Sequence, residues 1–311
     1  MEIRLYSPDR KSEWDSFVKD SKNGTFLLQR DFIEYHGNKF NDYSLMFFSD
    51  EELIAVMPGH ISDKIYYSHQ GLTYGGLIMN SRTTAVDVMN IFEKLTVTFR
   101  HQGIKKIIYK AVPHIYHRLP AEEDLYALFR HKAILSERNI SSAILLTEKL
   151  AYSDSRKNGL KKAAKNNLRV EKSMNFASFW QILSNNLKER YNKYPVHSLD
   201  EIVYLKDKFS NEIQLYSVLD VNNEIVGGCV VFETENVTHV QYTAATLEGK
   251  SMGSVDLLID YIINEAYSGK RYFDYGTSTE NDGQYLNESL IYQKEGFGAR
   301  AIIYDTYTIE L

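Results

Sequence analysis

Lys294 stands just before the tight turn Gly296-Phe297-Gly298, which would fix the direction of its ammonium. A cation held near reacting atoms stabilises negative charge as it develops on a carbonyl oxygen. A solvated lysine beside Glu295 is the plainer reading. Upstream, the run around Asp274 and Tyr275 ends at Gly276-Thr277-Ser278. Asp274 supplies a carboxylate that could accept a proton or orient a substrate; a buried aspartate bonded to backbone is the alternative. Gly276, Thr277 and Ser278 bring backbone and hydroxyl groups to the same place, or simply make the turn. Gln241 and Tyr242 alternate on an earlier strand, so one of them should face a pocket, and Tyr242 is the residue assigned to it. His239, on that strand, reads as a packed core histidine rather than a base. Between Ser155 and Lys172 seven residues are Lys or Arg. Arg156, Lys157 and Lys161 are candidate phosphate ligands there, against the reading of a solvated helix face. Arg300 is a further candidate, or a solvated strand-end arginine.

These side chains need a frame. His239 to Ala245 is β-branched and aromatic, and it stops at Thr246–Gly249. Apolar residues then recur at Val255, Leu258, Ile259, Ile262, Ile263 and Ala266, the stripe of a half-buried helix. Gly269 is placed where a left-handed helix cap would be. Arg271 to Tyr275 follows as a second strand. A strand, a crossover helix and a strand normally run parallel. Ligands of open sheets bind beyond the carboxyl ends of such strands, here Ala244–Thr246 and Gly276–Ser278.

The first half shows a comparable order. Glu2–Tyr6 reads as a strand, and Ser12 with Asp15 as a capping box opening a helix. A short helix fits Arg30 to Asn38. Tyr43–Phe48 and Leu53–Ile61 read as a hairpin, Ile65–Ser68 as a strand, and Ser81 as the cap of a helix that ends at Gly103. The strand 104–110, a helix over Glu122–Lys132 and a strand over Ile140–Thr147 complete that half. In the second half, Phe176–Tyr191 is helical, Ser198 with Glu201 caps another helix, and three strands lie at Ile213–Leu219, Ile225–Phe232 and Val237–Ala245. The pattern implies two α/β domains in tandem, 1–150 and 151–311, with mixed sheets and a boundary near Leu150.

The chain has 311 residues, 43% hydrophobic and 25% charged, enough for two cores. Its net charge of −5 weakens any reading in which the whole surface binds nucleic acid. Cys229 is the only cysteine, which excludes a disulfide framework. No Cys/His group has zinc spacing, so no metal is expected. No signal peptide and no stretch of membrane-spanning length is read, which implies a cytoplasmic protein. No P-loop, Rossmann fingerprint or Ser-His-Asp spacing is present.

The basic segment SRKNGLKKAAK, the strand GGCVVF, YFDYGTS, and KEGFGAR with the tyrosine-rich end IIYDTYTIEL together resemble the FemAB-like branch of the GNAT acyltransferase superfamily. TYGGLIM resembles the family's first-domain glycine motif. The resemblance implies two tandem GNAT-like domains and transfer of an acyl or aminoacyl group to an amine. Some members use acyl-coenzyme A; others take an amino acid from charged tRNA and add it to a peptidoglycan precursor. Lys294 matches the motif lysine near the acyl-transfer site. The nearest match to the pyrophosphate loop is Lys250, Gly253 and Val255, which puts Gly253 and Ser254 at a coenzyme A site. The acidic balance and the lack of sustained heptads weigh against tRNA. The expected protein is an N-acyltransferase with acyl-CoA as co-substrate. Its expected acceptor is a small or nucleotide-linked amino sugar of cell-envelope polysaccharide synthesis. The alternatives are a tRNA-dependent ligase and a binding protein on a degenerate GNAT fold.

Overall fold

The structure, a computed structural model, describes residues 1–35 and 39–311. The chain forms two compact units. The first holds Met1–Ile140, Thr279–Tyr285 and Ile302–Leu311; the second holds Ser141–Ser278 and Leu286–Ala301. The division thus falls at Ile140/Ser141, ahead of Leu150, and two C-terminal segments belong to the first unit.

The first unit begins with β1 (Glu2–Leu5), α1 (Lys11–Asp20) and the short α2 (Arg30–Glu34). The end of the helix expected over Arg30–Asn38 lies outside the described residues. α1 is not opened by a box at Ser12: its N-cap is Arg10, and Asp15 instead accepts the Arg30 amide. β2 (Leu45–Ser49) and β3 (Glu52–Met57) form the expected hairpin. Pro58, which lacks an N–H, precedes Gly59 and separates β3 from β4 (His60–Ser62). β5 (Ile65–Tyr67) and β6 (Ile78–Met79) follow. The next helix, α3 (Ala85–His101), is capped by Thr84 and Asp87 rather than by Ser81, each side chain bonding the other's backbone N–H. It leads to β7 (Lys106–Lys110), which runs parallel to β5. α4 (Glu123–Arg130) and β8 (Ile134–Leu145) close this stretch. The core of the unit gathers Phe47, Phe92, Phe99 and Tyr109. Trp14 is fully buried and donates its indole N–H to Leu28 O at 2.9 Å.

The second unit opens on α5 (Asp154–Lys165), β9 (Arg169–Ser173), α6 (Phe176–Tyr191) and α7 (Leu199–Lys208). α7 carries the expected Ser198–Glu201 capping box. β10 (Ile213–Leu219), β11 (Ile225–Glu233) and β12 (Val237–Ala245) form an antiparallel meander. α8 (Leu247–Met252) and α9 (Ser254–Tyr261) then cross to β13 (Tyr272–Thr277), which pairs parallel with β12. Leu258, Ile259, Ile262 and Ile263 are buried against Phe273 and Val231, as the stripe required. Each such side chain contributes about 1.5–3 kcal/mol on burial. The helix ends in a π-helical turn, Ile262–Ala266, and Gly269 is not left-handed, so it is no helix cap. The chain then passes through β14 (Thr279–Glu280), which belongs to the first unit, and β15 (Tyr285–Leu286), returns to the second unit for α10 (Glu288–Glu295), and ends on β16 (Arg300–Glu310), which belongs to the first unit from Ile302 onward. Trp180, on α6, is 5% exposed; it donates to His197 O and packs edge-on to Tyr242.

α5 lies against α9, with Gly159 and Gly253 in the contact. A Cβ on Gly253 would stand 2.2 Å from Gly159 O, and Gly253 has φ +85°. Gly253→Ala should therefore lower stability by roughly 2–3 kcal/mol. Urea denaturation would show this as a lower midpoint at unchanged slope.

Candidate active site

The parallel ladder between β12 and β13 is short. Its register runs Val237↔Tyr272, Thr238↔Phe273 and His239↔Asp274. Beyond that point β12 continues to Ala245 and β13 to Thr277 without pairing to one another. The strands part there, and a groove of about 710 Å³ opens between them. Val240, Gln241, Thr243 and Ala244 of β12 line it on one side; Tyr275, Thr277, Leu290, Gln293 and Lys294 line it on the other. α6 adds Leu183, Asn186 and Leu187, and α9 adds Val255 and Ile259. Asn186 ties the mouth together. It donates to Ala245 O at 2.9 Å and accepts from Lys250 Nζ at 3.1 Å.

Two local irregularities mark the strands where they part. β12 bulges opposite Val230/Val231: Tyr242 pairs with Val230 and Val240 with Val231, so Gln241 is the extra residue. A bulged residue stands outside the regular ladder. On β13 the turn begins at Gly276, whose φ of +75° suits glycine, and its N–H reaches Asp274 Oδ1 at 3.2 Å.

Lys294 sits in the last turn of α10 and is 7% exposed. Its Nζ donates to Gly276 O at 2.7 Å, Thr277 O at 2.9 Å and Ser278 Oγ at 2.8 Å. All three N–H groups of the ammonium are thus used on the end of β13. Burial pushes its pKa down to about 8, with the nearby Asp274 carboxylate acting in the opposite direction. The neutral amine suits the same place, donating to the two carbonyls and accepting the Ser278 hydroxyl.

Asp274 points to the other face of β13 and is fully buried. Its carboxylate accepts Ser141 Oγ at 2.5 Å and lies 2.8 Å from His239 Nδ1. The aspartate is bonded within the protein, to the Ser141 and His239 side chains and to the Gly276 N–H. Tyr242 is also turned from the groove. Its hydroxyl contacts His197 Nδ1 at 2.5 Å, while Gln241 faces the groove.

The basic helix divides. Arg156 Nη1 lies 2.8 Å from Asp256 Oδ1, and its guanidinium stands over the Phe297 ring. Lys157 pairs with Asp154, Lys161 is exposed, and Arg300 is exposed and bonds its neighbour's carbonyl. Arg156, Lys162 and Lys250 line a second pocket beside Gly253 and Asp256. The start of α9, where a pyrophosphate would need open backbone amides, is covered at Gly253 by α5. It carries the Asp256 carboxylate in its first turn, and Ser254 there is fully buried. At that helix start the Asp256 carboxylate opposes an anion, while Arg156, Lys162 and Lys250 bring positive charge to the pocket beside it.

The structure therefore brings Lys294 and Thr277 to one groove, with Gly276 and Ser278 bonded to the Lys294 ammonium, and leaves Asp274, Tyr242, Arg156, Lys157, Lys161, Ser254 and Arg300 outside it. Sequence reasoning missed the α6 wall, Asn186 and the Gln241 bulge. The apolar spacing of Leu183 and Leu187 on α6 was the available signal for the wall.

Two measurements follow from this geometry. The folded-state pKa of Lys294 lies below that of the unfolded chain, so the unfolded state holds the extra proton between about pH 8 and the ordinary lysine range, and this group adds stability as pH rises through that window. Lysine side-chain NMR should show one resonance titrating near pH 8 that is missing in Lys294→Met. Asp274→Ala leaves Ser141, the Gly276 N–H and His239 without their carboxylate and should cost about 3 kcal/mol in a urea titration.

No family model matches the chain, and no curated protein matches it. Solved structures do. A crystal structure of FemX aligns with 100% of this chain and 98% of its own, with a TM-score of 0.70 at 11% identity. The C-terminal domain of a putative lysylphosphatidylglycerol synthetase from Agrobacterium fabrum covers 98% and 92%, with a TM-score of 0.63 at 12% identity. L-PGS from Bacillus licheniformis covers 99% and 93%, with a TM-score of 0.61 at 11% identity. At these identities the likeness is one of fold: the chain has the mixed α/β, FemAB-like GNAT fold that its motifs resemble.

Proposed function

We propose that the second unit transfers an acyl group from an activated carbonyl donor to an amino group. The observation that carries this reading is the groove where β12 and β13 part, with the Lys294 ammonium buried at its edge. The apolar side chains of the walls, Leu183, Val240, Val255 and Ile259, would reduce the water around the reacting atoms. The unpaired edge of β12 and the Gln241 bulge offer backbone N–H groups to a carbonyl oxygen as it gains negative charge. Lys294 adds positive charge and holds the end of β13, which keeps the groove open. The amine attacks the carbonyl carbon directly, the donor's sulfur or oxygen leaves, and the amine proton passes to solvent or to the leaving group.

The first donor class is an acyl thioester such as acyl-CoA, with an amino sugar, free or nucleotide-linked, as acceptor in envelope polysaccharide synthesis. The second is an aminoacyl ester carried by tRNA. It is favoured by one observation: α5 and Asp256 occupy the start of α9, where coenzyme A would place its pyrophosphate. Purified protein incubated with an acyl-CoA panel and amino sugars should release free thiol and yield an N-acyl product by mass spectrometry. Charged tRNA in a filter-binding assay tests the second donor. With either donor, Lys294→Met should lower kcat/KM by about 10²–10³-fold. Wild-type turnover in Lys294→Met would remove this lysine from the mechanism, and no transfer from either donor class would remove the enzyme reading.

A further inference from the structure

We infer that the first unit carries a second small-molecule site, built for a small zwitterion of the α-amino acid type. β5 and β7 are the parallel pair of that unit, joined through α3, and run Ile65↔Lys106 to Tyr67↔Ile108. Just beyond, the ladder changes. Ser68 N–H still reaches Ile108 O at 2.9 Å, but the Lys110 N–H donates to the Ser68 hydroxyl at 2.8 Å instead of a strand carbonyl. The chain then loops away and returns at Gly75, whose N–H meets Lys110 O at 3.1 Å. A cavity of about 250 Å³ lies at this divergence, lined by Tyr67, Ser68, Lys110, Glu137 and Thr306 among others.

Two of these side chains carry opposite charge. Lys110 Nζ donates to Gln70 O at 3.2 Å and Leu72 O at 3.0 Å. An ammonium has three N–H groups, so one is left for a ligand. Burial lowers the pKa of this lysine and the Glu137 charge opposes that shift. Glu137 accepts from Asn139 Nδ2 at 2.5 Å and from Thr306 Oγ1 at 3.5 Å. Its carboxylate keeps acceptor positions beyond those two. The cation and the carboxylate face one cavity while each is bonded to other protein groups.

That pairing selects the ligand by exclusion. A plain anion is drawn to Lys110 and repelled by Glu137, and a plain cation meets the reverse. A molecule with a carboxylate and an ammonium one carbon apart satisfies both. The volume sets the size, since it lies below the ~300–1,000 Å³ of sites for drug-sized ligands. A nucleotide is too large, and an amino acid with a small side chain fits.

The test uses the full chain, labelled for amide NMR, with glycine, alanine and serine as probes. Acetate and methylammonium at matched ionic strength carry one charge each. The zwitterions should shift the amides of Ser68–Gln70 and Ile108–Lys110 in a saturable way. Lys110→Met and Glu137→Gln should each weaken binding at least about tenfold. Glu137→Gln is half-exposed and keeps its shape, so it reports even if Lys110→Met unfolds. Three results would each overturn the proposal: no saturable shift up to the probes' solubility limit, shifts confined to the groove between β12 and β13, or acetate binding as tightly as glycine with Glu137→Gln unaffected.

Discussion

The second unit depends on one clamp. The Lys294 ammonium gathers Gly276 O, Thr277 O and Ser278 Oγ, and so fixes where β13 stops following β12. Parallel strands that continue to pair leave no space between them. These two pair through His239↔Asp274 and then diverge. The divergence leaves two backbone carbonyls at the end of β13 in need of donors, and a buried carbonyl left alone costs about as much as a lost hydrogen bond. Lys294 meets that need. The cost moves to the lysine, whose charge is held away from water and whose pKa falls to about 8.

On the opposite face the same strand is held by Asp274. Ser141, His239 and the Gly276 N–H converge on its carboxylate. Gly276 is the joint between the two networks: its N–H faces the aspartate and its carbonyl faces the lysine. Charge on either side is felt by the other, which is why Asp274 acts against the loss of the Lys294 proton. The groove is therefore bounded by groups that position one another, and an apolar floor from α9 lies beneath them.

Much of this frame was legible in residue order. The apolar stripe of α9 has helical spacing, the flanking strands are β-branched and aromatic, and Lys294 precedes a glycine turn. Local rules are enough for such features. What was not legible depends on distant or irregular partners. Asp274 bonds Ser141 across most of the second unit's length in sequence. Alternation put one of Gln241 and Tyr242 at the pocket without choosing between them; Gln241 lines the groove, and Tyr242 bonds His197 on the other side. Ser12, Ser81 and Gly269 each had the right type for a cap, yet the helices begin or end elsewhere, because tertiary packing chooses among nearby candidates. The covering of α9 by α5 rests on a backbone contact between two glycines, which no spacing rule reveals.

The chain holds two tryptophans, and each compact unit contains one of them. Trp14 lies in the core of the first, and Trp180 lies on α6, the helix that walls the groove of the second. Tryptophan fluorescence is therefore already partitioned by unit. With Trp14 replaced by phenylalanine and excitation beyond the tyrosine band, emission arises from the indole beside Tyr242, and a shift in its wavelength or intensity reports changes in α6, which walls the groove, without any attached dye.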